Sequence, residues 1–261
     1  MTTYDAIKYN KTFISQVICR VDFLNYIKNE EIFDQIIIDK ITEFFPKKEM
    51  EQVIKFNTIK IEGDSSPASA NIHGSSIEGL QNTFTNREGT NKIILSNKFL
   101  IFDYKQYDTF ETLLDCFSSV IKNIEATLEK FSSLRIGLRY INVMSTDKLK
   151  IQKGFFCPNV AYATSNNIVE LDEQFKLIRS MQTAEYRVDN MMLNFRFGLY
   201  NPNYPSKVIK KDFILDYDCF IQEIISNSNE IIEYIKRGHN SIQIMFESSI
   251  TSKLRAVMND G

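Results

Sequence analysis

Two long stretches of the chain place apolar side chains at the spacing of an amphipathic helix, and each stretch follows a group of strand-like runs. Over residues 108–131, Phe110, Leu113 and Phe117 open a series that recurs every three or four positions. The second helix is predicted over residues 228–257. Because such a helix buries its apolar side against another layer, a chain with this pattern has to combine helices with a sheet.

The strand-like runs are recognised by their period of two. In "QVICRVDF", Val17, Cys19 and Val21 share one side of the predicted strand, and Arg20 lies with Asp22 on the other. The predicted strands cover residues 15–23, 52–62, 79–87, 92–95, 99–104, 135–144, 181–189, 191–200 and 213–219.

A third helical stretch begins at Asn29 and ends at Pro46. Asn29 supplies a cap, and the acidic residues after it suit the positive end of the helix dipole. Residues 63–74, rich in Ser, Ala and Asn, are predicted to form a loop, and residues 154–167 an irregular stretch. The predicted apolar stripe of the third helix consists of Ile32, Phe33, Ile36, Ile37, Ile41 and Phe44.

The order of strand, helix, strands and long helix therefore occurs twice. The runs "FLIFDYKQY" and "FILDYDCF" stand at matching places before the two long helices. We predict an α+β fold in which a curved antiparallel sheet packs on long helices. Residues 1–261 are expected to form a single domain with pseudo-repeat halves at residues 1–133 and 134–261. A saddle of the TATA-binding-protein type and a helix-grip type of fold both satisfy this order.

Charge and cysteine usage narrow the function classes. The chain has 31 Lys and Arg against 33 Asp and Glu, which disfavours a protein that coats nucleic acid or an acidic membrane. Cys19, Cys116, Cys157 and Cys219 lie far apart without a zinc-ligand spacing, so we expect reduced thiols. With no signal-peptide pattern and no long apolar run, the expected compartment is the cytoplasm.

Three runs, "RIGLRYIN", "LDYDCF" and "GHNSIQIMFESSITSKLR", together resemble a family of prokaryotic proteins described only as "sporadically distributed". "VICRVDF" and "KIILSNKFLIFDYKQYDTF" fit the same pattern, so the resemblance covers nearly the whole chain, with "RIGLRYIN" as its most specific element. The family has no assigned activity. Its patchy occurrence is similar to that of defence and toxin–antitoxin genes, which implies a genetic context and no mechanism.

"RIGLRYIN" places Arg135, Gly137 and Arg139 on one side of a strand. Arginine forks suit carboxylate or phosphate oxygens, and a glycine between two of them leaves room for a ligand to approach the backbone. The same period puts arginines and aspartates on the less apolar sides of other strands, so neighbouring strands would interleave them. The candidate ligand-binding residues are Arg135, Gly137, Arg139, Arg187, Arg196, Asp216 and Asp218.

Three interpretations of these residues stay open. The first is a concave face that binds an anionic small molecule, such as a nucleotide, or an anionic segment of a protein partner. The second is a ladder of cross-strand ion pairs that stiffens the sheet. In the third, Asp216 and Asp218 join Asp212 in the metal site of a nuclease or nucleotide-processing enzyme. We predict no cofactor and no metal, since the chain has no phosphate-binding glycine loop and only 2 histidines.

His239 lies beside the apolar stripe of the last helix, which Ile242 and Phe246 continue. A buried neutral imidazole that shares its proton with a backbone carbonyl or a carboxylate is one interpretation, and a general base is the other. The resemblance places a histidine here without assigning it a role. His73 is expected to be exposed in the Ser-rich loop.

These observations favour a cytoplasmic binding protein: a sensor, an adaptor or an antitoxin-like component of a prokaryotic defence module. The alternative is the metal-dependent nuclease or nucleotide-processing enzyme, and a homodimeric structural component is a third class. The expected partner is another protein or an anionic small molecule such as a nucleotide. Nucleic acid and membranes are disfavoured as partners.

Overall fold

The computed structural model describes residues 8–56, 75–145, 154–162, 177–201 and 212–260. The strands in these ranges are β1 (Ile14–Phe23), β2 (Lys47–Phe56), β3 (Ser75–Thr85), β4 (Asn91–Ser96), β5 (Phe99–Tyr104), β6 (Ser133–Ser145), β7 (Ser180–Val188), β8 (Met191–Tyr200) and β9 (Asp212–Ile221). The helices are α1 (Asn29–Ile32), α2 (Gln35–Thr42), α3 (Phe110–Thr127), α4 (Pro158–Tyr162), α5 (Ser228–Ser249) and α6 (Ser252–Asn259).

All of these strands belong to one open antiparallel sheet in the order β2-β3-β4-β5-β1-β6-β9-β8-β7. The first strands of the two predicted halves, β1 and β6, pair with each other near its centre, and we call this pairing the central seam. Outward from the seam the strands run β5, β4, β3, β2 on one side and β9, β8, β7 on the other, so the first half has one more strand. The α+β prediction is therefore confirmed, and the strand order repeats in the two halves.

The strand register places the two matching sequence runs at equivalent positions. Tyr104 at the end of β5 pairs with Val17 of β1, and Tyr217 in β9 pairs with Tyr140 of β6. Both Tyr104 and Tyr217 are buried on the helix-covered side of the sheet. The two tyrosines therefore occupy equivalent positions on either side of the central seam.

The aspartate before each of these tyrosines lies on the opposite face of the sheet, because side chains alternate along a strand. Gln16 Nε2 donates a hydrogen bond to Asp103 Oδ1 at 2.6 Å in the first half. Arg139 Nε donates to Asp216 Oδ1 at 2.7 Å in the second half. The two halves therefore make the same cross-strand contact, with a neutral donor in one and a cation in the other.

The main hydrophobic core lies between the sheet and the helices. The Phe117 ring of α3 lies 5.4 Å from the Phe102 ring of β5, and the Phe246 ring of α5 lies 6.3 Å from the Tyr217 ring of β9. The Thr109 side chain accepts a hydrogen bond from the Thr112 N–H, which fixes where α3 begins. These contacts place α3 and α5 on the same face, one from each half.

The helix predicted from Asn29 is two short helices, because Asp34 interrupts it. The Asp34 side chain accepts a hydrogen bond from the Ile36 N–H at 2.8 Å and so caps a new helix. Ile36 is 60% exposed and Phe44 is 41% exposed, whereas Ile37 is buried. The predicted apolar stripe is therefore wrong at Ile36 and Phe44.

The helix predicted over residues 228–257 is also interrupted, where its backbone pairs with the segment that precedes α4. The Cys157 N–H donates to the Ser249 carbonyl at 3.0 Å, and the Thr251 N–H donates to the Phe155 carbonyl at 3.0 Å. Because these bonds replace helical ones, the stretch divides into α5 and α6.

The other strand predictions agree with the structure to within two residues, except for β2 and β3. They begin at Lys47 and Ser75, and not at residues 52 and 79. The irregular stretch contains α4, and its residues after 162 lie outside the described ranges, as do the predicted loop with His73 and the end of the second predicted strand. All four cysteines are free thiols. None of the helices in the described ranges combines the length and apolar character that spanning a bilayer requires.

Two glycines give a matched test of this packing. Gly198 of β8 has a φ of 143°, and a Cβ there would lie 1.9 Å from the Ser180 carbonyl oxygen of β7. We expect Gly198→Ala to lower the free energy of unfolding by about 2–4 kcal/mol. A Cβ on Gly238 of α5 would meet no atom closer than 3.5 Å, so Gly238→Ala should raise it by about 0.5–1 kcal/mol. Urea unfolding measures both changes, and a neutral Gly198→Ala variant would contradict the β7–β8 register.

Candidate functional site

The face of the sheet opposite the helices carries charged side chains that lie next to one another. Six of the seven candidate residues from the sequence come together there, because β6, β9 and β8 are neighbours. Arg187 does not join them, since it is exposed on β7 opposite Met192, and no ion pair is found for it among the described residues. We call the following set the charged face: Arg20, Asp22, Arg135, Arg139, Arg196, Asp216 and Asp218.

Asp216 is the most enclosed member of the charged face. Arg139 binds it with two hydrogen bonds, from Nε to Oδ1 and from Nη2 to Oδ2, both at 2.7 Å. Arg196 Nε lies 3.2 Å from Asp216 Oδ2 on the other side. The Asp216 side chain is 8% exposed, so this carboxylate is shared between two guanidinium groups and is shielded from solvent.

Arg135 occupies the space that Gly137 leaves on β6. A Cβ on Gly137 would lie 3.0 Å from Arg135 Nη1, and the guanidinium also lies over the Phe220 ring at 4.7 Å. Arg135 pairs with Asp218 at 3.6 Å and with Asp22 at 4.0 Å. The room predicted for a ligand beside Gly137 is therefore filled by the neighbouring side chain of the same strand.

The arginines of the charged face therefore already have carboxylate partners. Arg20 and Asp22 form a further pair at 2.6 Å, so alternating charges run across the central seam. Burial raises the pKa of Asp218 above its usual value, although Arg135 and Arg139 act against this shift. This arrangement has the geometry of the cross-strand ion-pair ladder, the second interpretation from the sequence.

The metal interpretation finds no support in the geometry. Asp216 is held by two arginines, and Asp212 pairs across the sheet with Ser145 and Tyr200, away from that contact. No group of three histidine, cysteine or carboxylate side chains in the described ranges is arranged to hold a metal ion.

The helix side of the sheet holds a cavity of about 320 Å³. It lies between the beginning of α3, the second half of α5 and the strands beneath them, so both halves of the chain contribute to its walls. Its volume falls in the range of about 300–1,000 Å³ that small-molecule sites occupy. We call it the helix-side cavity, and its principal lining residues are Tyr107, Phe110, Tyr140, His239, Phe246 and Glu247.

A chain of hydrogen bonds crosses one wall of the helix-side cavity. Tyr107 and Tyr140 share a hydrogen bond between their hydroxyl oxygens at 3.0 Å, and the Tyr140 hydroxyl lies 3.0 Å from His239 Nδ1. The His239 ring stacks on Phe110 with ring centroids 3.8 Å apart. Burial lowers the pKa of His239 to about 4, so the imidazole is neutral at neutral pH. Its proton-sharing partner is thus a tyrosine rather than the predicted carbonyl or carboxylate.

A second polar contact closes another wall. The Tyr9 hydroxyl donates to Glu247 Oε1 at 2.6 Å, and Arg255 Nε donates to Glu247 Oε2 at 2.7 Å. Glu247 is 4% exposed, so both oxygens of this buried carboxylate are satisfied by the protein. The contact ties α6 and the segment before β1 to α5.

The rim of the helix-side cavity is more acidic than basic. It carries the ammonium group of Lys8 and the carboxylates of Asp108 and Glu111. A backbone hydrogen bond lowers the pKa of Glu111, so this group is ionised at neutral pH. An anionic ligand would therefore meet repulsion here, and a neutral one would not.

A second hollow, of about 470 Å³, lies beside the end of β1. Its charged members Arg20 and Asp22 pair with each other, and Arg20 also lies 4.8 Å from the Phe99 ring centroid. Asn97 Nδ2 donates to the Ile27 carbonyl. Arg20 and Asp22 thus neutralise each other in this hollow, while Asn97 Oδ1 is buried without a hydrogen-bond partner among the described residues.

Comparison with known protein families, with curated proteins and with solved structures finds no match to this chain. We therefore infer the function from the geometry of the two faces. Membership of the sporadically distributed family stays a prediction.

The sequence pointed to His239 but missed the groups around it. Tyr140 belongs to "RIGLRYIN", and the period of two already put it on the side opposite Arg139. Glu247 lies eight residues after His239, so helical spacing placed an acid on the same side of the last helix. An acid and a histidine on the same apolar stripe of a helix were therefore the sequence signal that could have indicated these groups.

Two isosteric variants on β9 test the ion-pair interpretation of the charged face. Asp216→Asn leaves Arg139 and Arg196 close together without a carboxylate, so we expect the free energy of unfolding to fall by about 1–3 kcal/mol. Asp218→Asn should leave the free energy of unfolding within about 1 kcal/mol of that of the unsubstituted chain or raise it, because partial burial disfavours the charged form of Asp218 in the folded chain.

The pH dependence of the free energy of unfolding gives a control for these two variants. Because the pKa of Asp218 is higher in the folded chain than in the unfolded one, its penalty disappears as the pH falls below the folded-state pKa. The difference in stability between Asp218→Asn and the unsubstituted chain should therefore shrink in acid, where the native Asp218 is uncharged like the asparagine. Urea unfolding across this pH range measures the difference, and a larger loss for Asp218→Asn than for Asp216→Asn at neutral pH would contradict the interpretation.

Proposed function

We propose that this chain is a small-molecule-binding protein whose ligand site is the helix-side cavity. The observation that carries the proposal is the combination of an aromatic-lined space of about 320 Å³ with a polar chain, from Tyr107 through Tyr140 to His239, along its wall. Ligand sites combine a mostly apolar lining with a few placed polar groups in this way. The proposal belongs to the class of binding proteins that the sequence favours.

The protonation states of these groups support binding more than turnover. The pKa of His239 is lowered to about 4, and burial raises the pKa of Tyr107 to about 12. The pKa of Tyr140 is raised as well, again by burial. A general acid or base works best with a pKa near the operating pH, and none of these three groups has one.

The position of the cavity supports a sensor. A molecule bound there would touch Phe110 on α3 and Phe246 on α5, and so would contact both halves of the chain at once. Binding would add contacts between the halves and stabilise their arrangement by mass action. A ligand-dependent change in stability is the minimum that a sensor requires.

The other roles expected from the sequence rest on different features. An anionic ligand at the charged face would have to compete with Asp216, Asp218 and Asp22 for the arginines, so we assign that face a structural role. The adaptor and antitoxin-like roles, and the cytoplasmic compartment, stay predictions.

A blocking variant tests the cavity as a binding site. Gln243 lines the cavity on α5, so Gln243→Trp should fill part of the space, whereas Lys236→Trp adds the same ring to an exposed position of the same helix. In a fragment screen by ligand-observed NMR, we expect fragments that bind the unsubstituted chain and Lys236→Trp to lose most of their binding to Gln243→Trp. Equal binding to all three proteins, or no fragment binding at all, would contradict the proposed site.

A further inference from the structure

From the hydrogen-bond chain we infer that the ligand of the helix-side cavity is a neutral, planar molecule with a hydrogen-bond donor and an acceptor on one edge, such as a primary amide, a lactam or a nucleobase-like ring. This inference rests on the proposed function and names the chemical class that the site takes.

The chain from Tyr107 through Tyr140 to His239 can point in two directions. In one, Tyr107 donates to Tyr140 and Tyr140 donates to His239 Nδ1, which leaves a hydrogen on Nε2 and an acceptor on the Tyr107 oxygen. In the other, Nδ1 donates to Tyr140 and Tyr140 donates to Tyr107, which leaves an acceptor on Nε2 and a donor on Tyr107. Either way, one end donates while the other accepts.

The two residues at the ends of the chain line the cavity and have hydrogen-bonding capacity that no described residue uses. His239 and Tyr107 line the cavity, and no described residue forms a hydrogen bond with His239 Nε2. Among the described residues, the Tyr107 hydroxyl forms a hydrogen bond only with Tyr140. This hydroxyl can therefore form a further hydrogen bond with a ligand. A ligand edge that offers one donor and one acceptor complements both ends, whereas a ligand with acceptors alone satisfies only one.

Charge and shape restrict the ligand further. Among the described residues, the rim places Asp108 and Glu111 against one ammonium, that of Lys8, which disfavours a carboxylate or phosphate ligand. The walls contain the stacked pair of Phe110 and His239, whose ring planes differ by 5°, and flat rings pack well against such a wall. A planar, uncharged ligand satisfies both conditions.

Three probes of matched size test this inference: benzamide, acetophenone and benzoate. They share a phenyl ring, and they differ in whether the substituent offers a donor with an acceptor, an acceptor alone or a negative charge. In NMR titrations at pH 7, benzoate should have the highest dissociation constant of the three probes. Removing one hydrogen bond changes affinity by about fivefold, which corresponds to about 1 kcal/mol.

The variant Tyr107→Phe separates hydrogen bonding from desolvation. We expect this variant to raise the dissociation constant of benzamide by about fivefold and to change that of acetophenone by less than about twofold. The reason is that only benzamide uses both ends of the chain. Tyr186→Phe is the matched control, since Tyr186 is exposed on β7 away from the cavity. It should change neither constant, and thermal unfolding checks that both variants keep the fold.

The outcomes separate this inference from the proposed function. If the probes bind, are blocked by Gln243→Trp and show the same ratio of affinities in Tyr107→Phe, the cavity is a site but the donor and acceptor requirement is wrong. Tighter binding of benzoate than of benzamide would overturn the requirement for a neutral ligand. If none of the three probes binds while other fragments do, the assigned class is wrong, and if no fragment binds, the proposed function fails as well.

Discussion

The antiparallel pairing of β1 with β6 is the interaction on which the rest of the structure depends. Without this seam the two halves would be separate sheets, and with it they form one sheet whose strand order repeats outward on both sides. The seam also brings α3 of the first half beside α5 of the second on the same face. The helix-side cavity exists because helices from different halves meet over a single sheet.

Because side chains alternate along each strand, the two faces of the sheet carry different groups. On the helix side, Tyr140 meets His239 and the apolar core. On the other side, Arg139 of the same strand binds Asp216, and the residue equivalent to Arg139 in the first half is Gln16. The structure thus places the charges of the seam in mutual pairs and leaves the aromatic side with uncommitted hydrogen-bonding capacity, which is where a ligand gains most.

Much of this architecture could be predicted from the sequence, because strand alternation and helix periodicity are local signals. They predicted the antiparallel sheet, and they put the arginines and aspartates on a shared face. Periodic patterns alone could not give the interruptions at Asp34 and at the α5–α6 junction, where a side-chain cap and long-range backbone bonds replace helical ones. They could not give the cavity either, since its volume depends on how far apart α3 and α5 lie over the sheet. Tyr107 shows the same limit, because it comes from a loop without any periodic pattern and reaches Tyr140 only through the fold.

The 15N chemical shifts of the two ring nitrogens of His239 test the proposed binding site most directly, when measured in a His73→Gln chain so that a single histidine remains. At pH 7 we expect the pattern of a neutral imidazole, and saturation with benzamide should shift the Nε2 signal. A doubly protonated ring at pH 7, or a spectrum that saturating benzamide leaves unchanged at both nitrogens, would contradict the proposed binding site.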